Sequence, residues 1–273
     1  VWCGPNSLFV LAVIHAARKA GLVAVPLSYR FTGEEMAYVI DNSGASIVII
    51  DAEQSSVIAP HVAEIKRVHH WLSFDGDIEL GFESLETLLA VQLDEEPDEP
   101  SNKDLATAGS SMIYTSGTTG KPKGALRTTS DTETVFALLV ALNLQGADEV
   151  HITTGPLYHS GPLAFATMTH SLGCPIVLLR KFNPSDWLRY VADYRVTNTF
   201  SAPTQLKRVV SLPPTELDKA DMSSMRCLIA NAAPVPYALK EEIIEKLGSG
   251  FLYEVYGSTE LGVVTVLKPE DQL

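Results

Sequence analysis

The chain has 273 residues, 46 % hydrophobic and 19 % charged, a balance that supports a packed core and excludes disordered, collagenous and coiled-coil classes. Thirty-three acidic against 20 basic side chains leave a net charge of -13, and with no basic stripe the chain lacks the footprint of a nucleic-acid binder. Ten of the acids fall between Asp75 and Glu99 without a Lys or Arg among them, so the remainder is close to neutral.

From the N-terminus, Asn6 or Ser7 can cap a helix with Leu8, Leu11, Ala12 and His15 on one side, ending before Gly21. Its apolar run, 8–14, is too short to span a bilayer, and no basic stretch precedes it as in a secretory signal. Residues 23–27 read as a strand. Thr32 and Glu35 have capping-box spacing and should start a helix through Asp41. Residues 46–50 (SIVII) are expected as a strand buried on both faces. The acidic stretch 94–99, punctuated by Pro97 and Pro100, reads as a solvated surface loop. Beyond it, strands are predicted at 111–114, 150–154, 176–179, 197–201, 226–230 and 251–256. Helices are predicted over 131–144, from Asn183-Pro184 to about Tyr194, and from about Pro203 and Pro236. Repeated β-α units imply an α/β fold with parallel or mixed sheets flanked by helices. Its one internal boundary would fall in the acidic stretch, giving a front segment 1–100 and a second α/β segment 101–273. Cys3, Cys174 and Cys227 are far apart and form no CxxC pair, which predicts a reduced, cytoplasmic protein. The chain begins with Val1, as expected of one that is trimmed or starts inside a longer protein.

The most informative stretch is YTSGTTGKPKG at 114–124. It combines the hydroxyls of Thr115, Ser116, Thr118 and Thr119 with Gly117, Gly120, Gly124, Lys121 and Lys123, directly after a predicted strand. Glycines let backbone amides approach an anion, hydroxyls donate to its oxygens, and lysines supply charge, so the chemistry implied is polyphosphate binding. The ordinary nucleotide P-loop is excluded because Pro122 stands where that motif needs Ser or Thr. Thr118 ahead of Lys121 likewise excludes the S-x-x-K acylase pattern. A plain polar surface turn is the competing reading, and the density of these residue types argues against it.

This stretch resembles the signature loop of the adenylate-forming (AMP-binding) superfamily, which includes acyl-CoA synthetases, luciferases and the adenylation domains of peptide synthetases. Four further segments resemble that family in the same order: ARKAGLVAVPL at 17–27, GPLYH at 155–159, NAAP at 231–234 and YGSTE at 256–260. The resemblance implies part of the large N-terminal domain of such enzymes. It implies an adenine slot between Tyr256, with Gly257 beside it, and a wall of Ala232, Ala233 and Pro234. It also implies magnesium near Glu260 and Thr115, and Thr259 at the α-phosphate. His159 has two readings of equal weight: a group beside the carboxylate being activated, or a histidine bonded within a Pro/Gly-rich turn. The other histidines form no metal-ligand pattern.

The reaction implied is ATP-dependent formation of an acyl-adenylate, followed by transfer of the acyl group to a thiol, usually coenzyme A. Thr115, Lys123, His159 and Glu260 would be the catalytic set, with Lys121 or Lys123 offsetting charge on the departing pyrophosphate. Only 13 residues follow Glu260. The downstream ribose-binding aspartate, the hinge and the small C-terminal domain with its lysine have no counterpart here. The expectation is a fragment or truncated relative with little complete ligase activity by itself. The segments around 156–161 and 253–260 favour a fatty or other hydrophobic carboxylic acid as substrate, with Phe165 and Phe200 in the acyl tunnel wall. Aryl, sterol-type and amino acids stay open, as do a non-catalytic nucleotide-binding remnant and an unrelated phosphate-binding protein. Asn231 departs from the glycine usual at its position. No stripe marks an oligomer interface, and the resemblance leaves homo-oligomers and peripheral membrane contact open.

Overall fold

Ser7 and Thr32 start the first two helices of the computed structural model, each through the hydroxyl-to-amide bond its context predicts. The structure describes residues 1–92, 95, 109–115, 121–127, 132–144 and 146–273. These fall into two units, Val1–Thr129 and Ser130–Leu273. Of the stretch 75–102 expected to hold the internal boundary, residues 93, 94 and 96–102, with Pro97 and Pro100, lie outside the described residues.

The first unit opens with β1 (Trp2–Cys3) and α1 (Leu8–Lys19). Helix α1 buries Val10, Leu11 and Ile14, whereas Leu8 is 79 % exposed and Ala12 is exposed. The predicted face was therefore wrong by part of a turn. The stripe that wins, i, i+1 and i+4, brings Phe9 against Phe74 at 5.2 Å as well. The expected strand 23–27 is divided: β2 (Pro26–Leu27) pairs with β1, while Ala24 bridges to Ser111. Pro26 has no amide to offer a second neighbour, and β2 accordingly lies at the edge of its sheet. Then come α2 (Gly33–Asn42), β3 (Ile47–Asp51), α3 (Ala52–Ile58), a 3-10 turn at Ala59–Glu64, β4 (His70–Phe74), β5 (Glu83–Ser84) and α4 (Leu85–Ala90). Both capping-box bonds form: Thr32 N donates to Glu35 Oε2 at 2.8 Å and Glu35 N to Thr32 Oγ1 at 3.3 Å. The parallel sheet runs β2-β1-β3-β4-β5. In β3, Val48 and Ile50 are fully buried but Ile47 and Ile49 only half-buried. A separate antiparallel pair, β6 (Ser111–Thr115) and β7 (Lys123–Arg127), completes the unit.

In the second unit, α5 (Thr132–Ala141) ends where Asn143 takes a left-handed φ of 56° and Leu144 N bonds Leu139 O at 2.8 Å, a Schellman-type stop. Its predicted first residue, Asp131, lies outside the described residues. There follow β8 (His151–Thr153), α6 (Ser160–Ser171), β9 (Ile176–Leu178), α7 (Pro184–Asp193), β10 (Asn198–Ser201), α8 (Pro203–Val210), α9 (Pro214–Leu217), β11 (Cys227–Ala230), α10 (Tyr237–Leu247), β12 (Leu252–Ser258) and β13 (Gly262–Leu267). Asn183 caps α7 through Ser185 N and Asp186 N, as its Asn-Pro sequence requires. The sheet order is β13-β12-β11-β10-β8-β9, parallel except for β13. One core cluster gathers Ile152, Trp187, Val191, Leu206, Leu228 and Ile243, and another Leu139, Leu142, Phe165, Phe200, Ile229 and Val255. Among the described residues, no helix is long and apolar enough to cross a membrane.

The polar layer around the starts of β8, β10 and β11 is buried. His151 Nδ1 lies 2.6 Å from Asn198 Oδ1, and burial lowers its pKa from 6.5 to about 4. Folded His151 is therefore neutral, and between pH 6.5 and about 4 the unfolded chain binds a proton that the folded chain does not. Stability is expected to fall by about 3 kcal/mol as pH drops through that window. Urea midpoints for wild type and His151→Gln at pH 7 and pH 4.5 check this: the variant should lose much less.

Candidate functional site

In an open sheet, ligands bind outside the carboxyl ends of the parallel strands. In the second unit that edge carries three of the signature segments. GPLYH follows β8, NAAP follows β11, and YGSTE occupies the end of β12 and the turn into β13. Ser160 Oγ lies 3.1 Å from Thr259 Oγ1, which ties the start of α6 to YGSTE. Asn231 Nδ2 donates to Val255 O, and its Oδ1 accepts from Ala232 N. Ala232 has a left-handed φ of 73°, a conformation that costs a non-glycine residue roughly 1–2 kcal/mol. The Asn231 bonds offset that strain locally.

Beyond this clamp, Ala232, Ala233 and Pro234 are exposed, and Tyr256 is 71 % exposed, so its ring is not strand-end core. Gly257 sits at a bulge where β12 shifts register against β13, and a Cβ there would overlap the Gly262 carbonyl oxygen. Thr259 is half-buried and Glu260 exposed. His159 is the N-cap residue of α6, exposed, with its ring 4.3 Å from that of Tyr158. It thus begins a helix that the sequence reading took for a turn. Pro162 is tolerated there because the first-turn amides of a helix have no intrahelical acceptor.

The remaining candidates belong to the first unit. Thr115 ends β6 and Lys123 begins β7, and the two are cross-strand partners, the last pair of the hairpin ladder. Ser116, Gly117, Thr118, Thr119 and Gly120 lie outside the described residues. Lys121 Nζ stands 4.7 Å from the centre of the Tyr38 ring, and Tyr38 OH donates to Pro122 O at 3.2 Å. Tyr114 OH donates to Asn42 Oδ1 at 2.7 Å. Its phenol pKa is raised, first by burial and then by neighbouring Tyr38.

Three supporting residues escaped the sequence reading. Thr154 Oγ1 meets Thr199 Oγ1 at 2.7 Å and accepts Trp187 Nε1 at 3.2 Å. Gln205 bridges two strand ends, donating to Thr154 O at 2.8 Å and accepting from Ala202 N at 2.9 Å. Ser160 holds Thr259, as above. Thr154, Ser160 and the Gln205–Thr154 bond answer to partners distant in sequence, which no local pattern reveals; only the Gln205–Ala202 bond is local. Phe165 and Phe200 stack at 5.3 Å within the core cluster, and a Cβ on Gly161 would overlap the Phe200 ring. Among the described residues, no three His, Cys, Asp or Glu side chains cluster as a metal site.

The polar and small-residue loops of this parallel sheet thus gather at its carboxyl edge, where open α/β sheets bind small-molecule ligands. The profile of the AMP-binding enzyme family matches residues 1–273, and the chain belongs to that family. A feruloyl-CoA synthase from Amycolatopsis is 31 % identical over 263 residues, 95 % of this chain and 48 % of its own length. An indoleacetate–CoA ligase from Aromatoleum aromaticum is 30 % identical over 275 residues, 99 % of this chain and 52 % of its own length. Among solved structures, ATP-bound MatB from Rhodopseudomonas palustris superposes with a TM-score of 0.81 at 26 % identity, over 98 % of this chain and 51 % of that one. The chain thus spans about half the length of these relatives.

Proposed function

We propose that the protein carrying these residues is an ATP-dependent acid–thiol ligase that forms an acyl-adenylate and then an acyl-CoA thioester. The observation that carries this reading is the gathering of GPLYH, NAAP and YGSTE at one sheet edge, joined by the Ser160–Thr259 and Asn231–Val255 bonds. Family membership and relatives named as CoA ligases or synthases support it.

In this reading adenine lies between the exposed Tyr256 ring and the Ala232–Ala233–Pro234 wall, with Gly257 allowing close approach. Thr259 donates to the α-phosphate. Thr115, Ser116, Gly117, Thr118, Thr119 and Gly120 bind the β- and γ-phosphates, with Lys121 and Lys123 supplying charge. The substrate carboxylate is already an anion and needs no general base, so the protein's work is positioning and charge neutralisation. His159 borders the carboxylate. A magnesium ion fits the donor set: Glu260 is a lone exposed carboxylate, and magnesium keeps several waters and takes its other ligands from substrate phosphates. Glu260 would hold it, and when bound it supplies charge neutralisation on the phosphates.

The acid is a hydrophobic carboxylate. Fatty acids are the first choice from the sequence, but the aromatic acyl groups in the names of two relatives favour the aryl end of that range. Buried, unpaired Cys3, Cys174 and Cys227 support a reducing, cytoplasmic setting. ATP–pyrophosphate exchange and hydroxamate formation across a panel of fatty and aryl acids, on the full-length gene product, test the reading. Exchange dependent on one acid class is expected, with Glu260→Gln lowering it about 100-fold or more. No product with any acid would overturn it, and undiminished exchange in Glu260→Gln would remove Glu260 from the magnesium site. The isolated 273-residue chain should show little exchange.

A further inference from the structure

We infer that Tyr38, on α2, is a positioning residue for the triphosphate-binding hairpin: it latches the Lys121–Lys123 stem of β7 to the first sheet's helix layer. This rests on the nucleotide reading above. Four contacts within the first unit carry it. The Tyr38 hydroxyl donates to Pro122 O at 3.2 Å, and its ring lies 4.7 Å beneath Lys121 Nζ. One helical turn further along, Asn42 accepts from Tyr114 OH at 2.7 Å on the opposing strand. Across the ladder, Thr115 is paired with Lys123. Side chains of α2 therefore hold Tyr114 on β6 and the Lys121–Pro122 segment that leads into β7.

The hairpin needs such a latch. A two-stranded ribbon by itself is marginal in water, and among the described residues the backbone link from β6–β7 to the parallel sheet is the isolated bridge at Ala24 and Ser111. Pro122 offers no amide, so its carbonyl is the one backbone group through which that residue can be held. The latch also acts on Lys121. A cation over an aromatic face is held in place while keeping its charge, so Tyr38 fixes where that ammonium stands without neutralising it as a carboxylate would. Helix α2 is itself anchored at its start by the Thr32–Glu35 box, and its buried face carries Met36, Val39 and Ile40. The latch is mounted on a rigid element.

Two readouts on the full-length protein test this. Tryptic cleavage after Lys123 reports on the stem without any ligand, since the Lys121–Pro122 bond resists trypsin. Tyr38→Phe keeps the ring but loses the hydroxyl, and Tyr38→Ala loses both. Cleavage is expected to accelerate about 3–10-fold in the first and more in the second. MgATP affinity should fall in the same order, by about 3–10-fold and then about 10–50-fold. Adenosine affinity should not change, because adenosine carries no phosphate for the hairpin to hold; a merely structural role for Tyr38 would move both ligands or neither. Unchanged cleavage in Tyr38→Ala overturns the latch. Faster cleavage with unchanged MgATP affinity overturns its role in positioning. A wild-type protein that binds no MgATP, with cleavage still responding to Tyr38, overturns the nucleotide reading instead.

Discussion

Replacing Arg226 by alanine is expected to destabilise the second unit by about 3–5 kcal/mol, because it strands a buried carboxylate. Glu149 is 1 % exposed. Its Oε2 accepts from Thr197 Oγ1 and from Asn198 Nδ2 at 3.1 Å, while Arg226 Nη2 faces Oε1 at 2.8 Å as an ion pair outside aligned hydrogen-bond geometry. Arg226 also forks onto Asp148 with two bonds of 3.1 Å, which raise the guanidinium pKa; burial opposes this, and the contact with Glu149 raises it further. Asp148 is exposed and can be rehydrated when Arg226 is lost. Glu149 cannot, so the cost comes from that side. Adding Glu149→Gln to Arg226→Ala removes the stranded charge and should recover most of the loss. Urea denaturation of the two singles and the double measures the coupling. Simple additivity would mean that Arg226 matters through packing and not through Glu149.

This ion pair also marks where reading the sequence stopped. Local signals were legible because they depend on neighbours in the chain: the Thr32–Glu35 box and the Asn183-Pro184 start appear as expected, and the 46–50 run forms β3 although Ile47 and Ile49 are only half-buried. The order and spacing of the five signature segments was legible for the same reason, and it identified the family. Elements that answer to distant partners were not. Helix α6 was masked by Gly161 and Pro162, which suit a first turn as well as they suit a loop. Strand β7 was not foreseen because its pairing to β6, not its composition, makes it a strand. Residues 23–27 divide between two partners, a choice made by Pro26 and by the hairpin and not by β-propensity. The candidate site was legible as a set of motifs, but its internal fastening through Ser160, Gln205 and Tyr38 is tertiary, and a single hydroxyl or amide gives no local warning of its partner.

The bulge at Gly257 should be the least tolerant point of the candidate site. Gly257 has no left-handed φ, so alanine meets no torsional penalty there. Its Cβ would instead overlap the Gly262 carbonyl oxygen and stand 3.1 Å from Val263 Cα, both backbone atoms that cannot rotate aside. Relief requires parting β12 from β13, and Gly257→Ala is expected to cost about 3 kcal/mol or more. Gly250→Ala supplies the opposite control: nothing lies within 4 Å of its Cβ but φ is 88°, so torsion alone should cost about 1–2 kcal/mol. The functional contrast is with Tyr256. At 71 % exposure its removal takes little from the core, and Tyr256→Ala should change stability by no more than about 0.5 kcal/mol. Loss of an aromatic face for adenine should nevertheless weaken nucleotide binding by about 10-fold or more, near the middle of the range for base–aromatic stacking. Denaturation and MgATP titration of the three variants separate the cases: Gly257→Ala moves both measurements, Gly250→Ala only stability, Tyr256→Ala only binding. Tight binding retained by Tyr256→Ala would remove the adenine slot from this sheet edge, whatever the other two variants do.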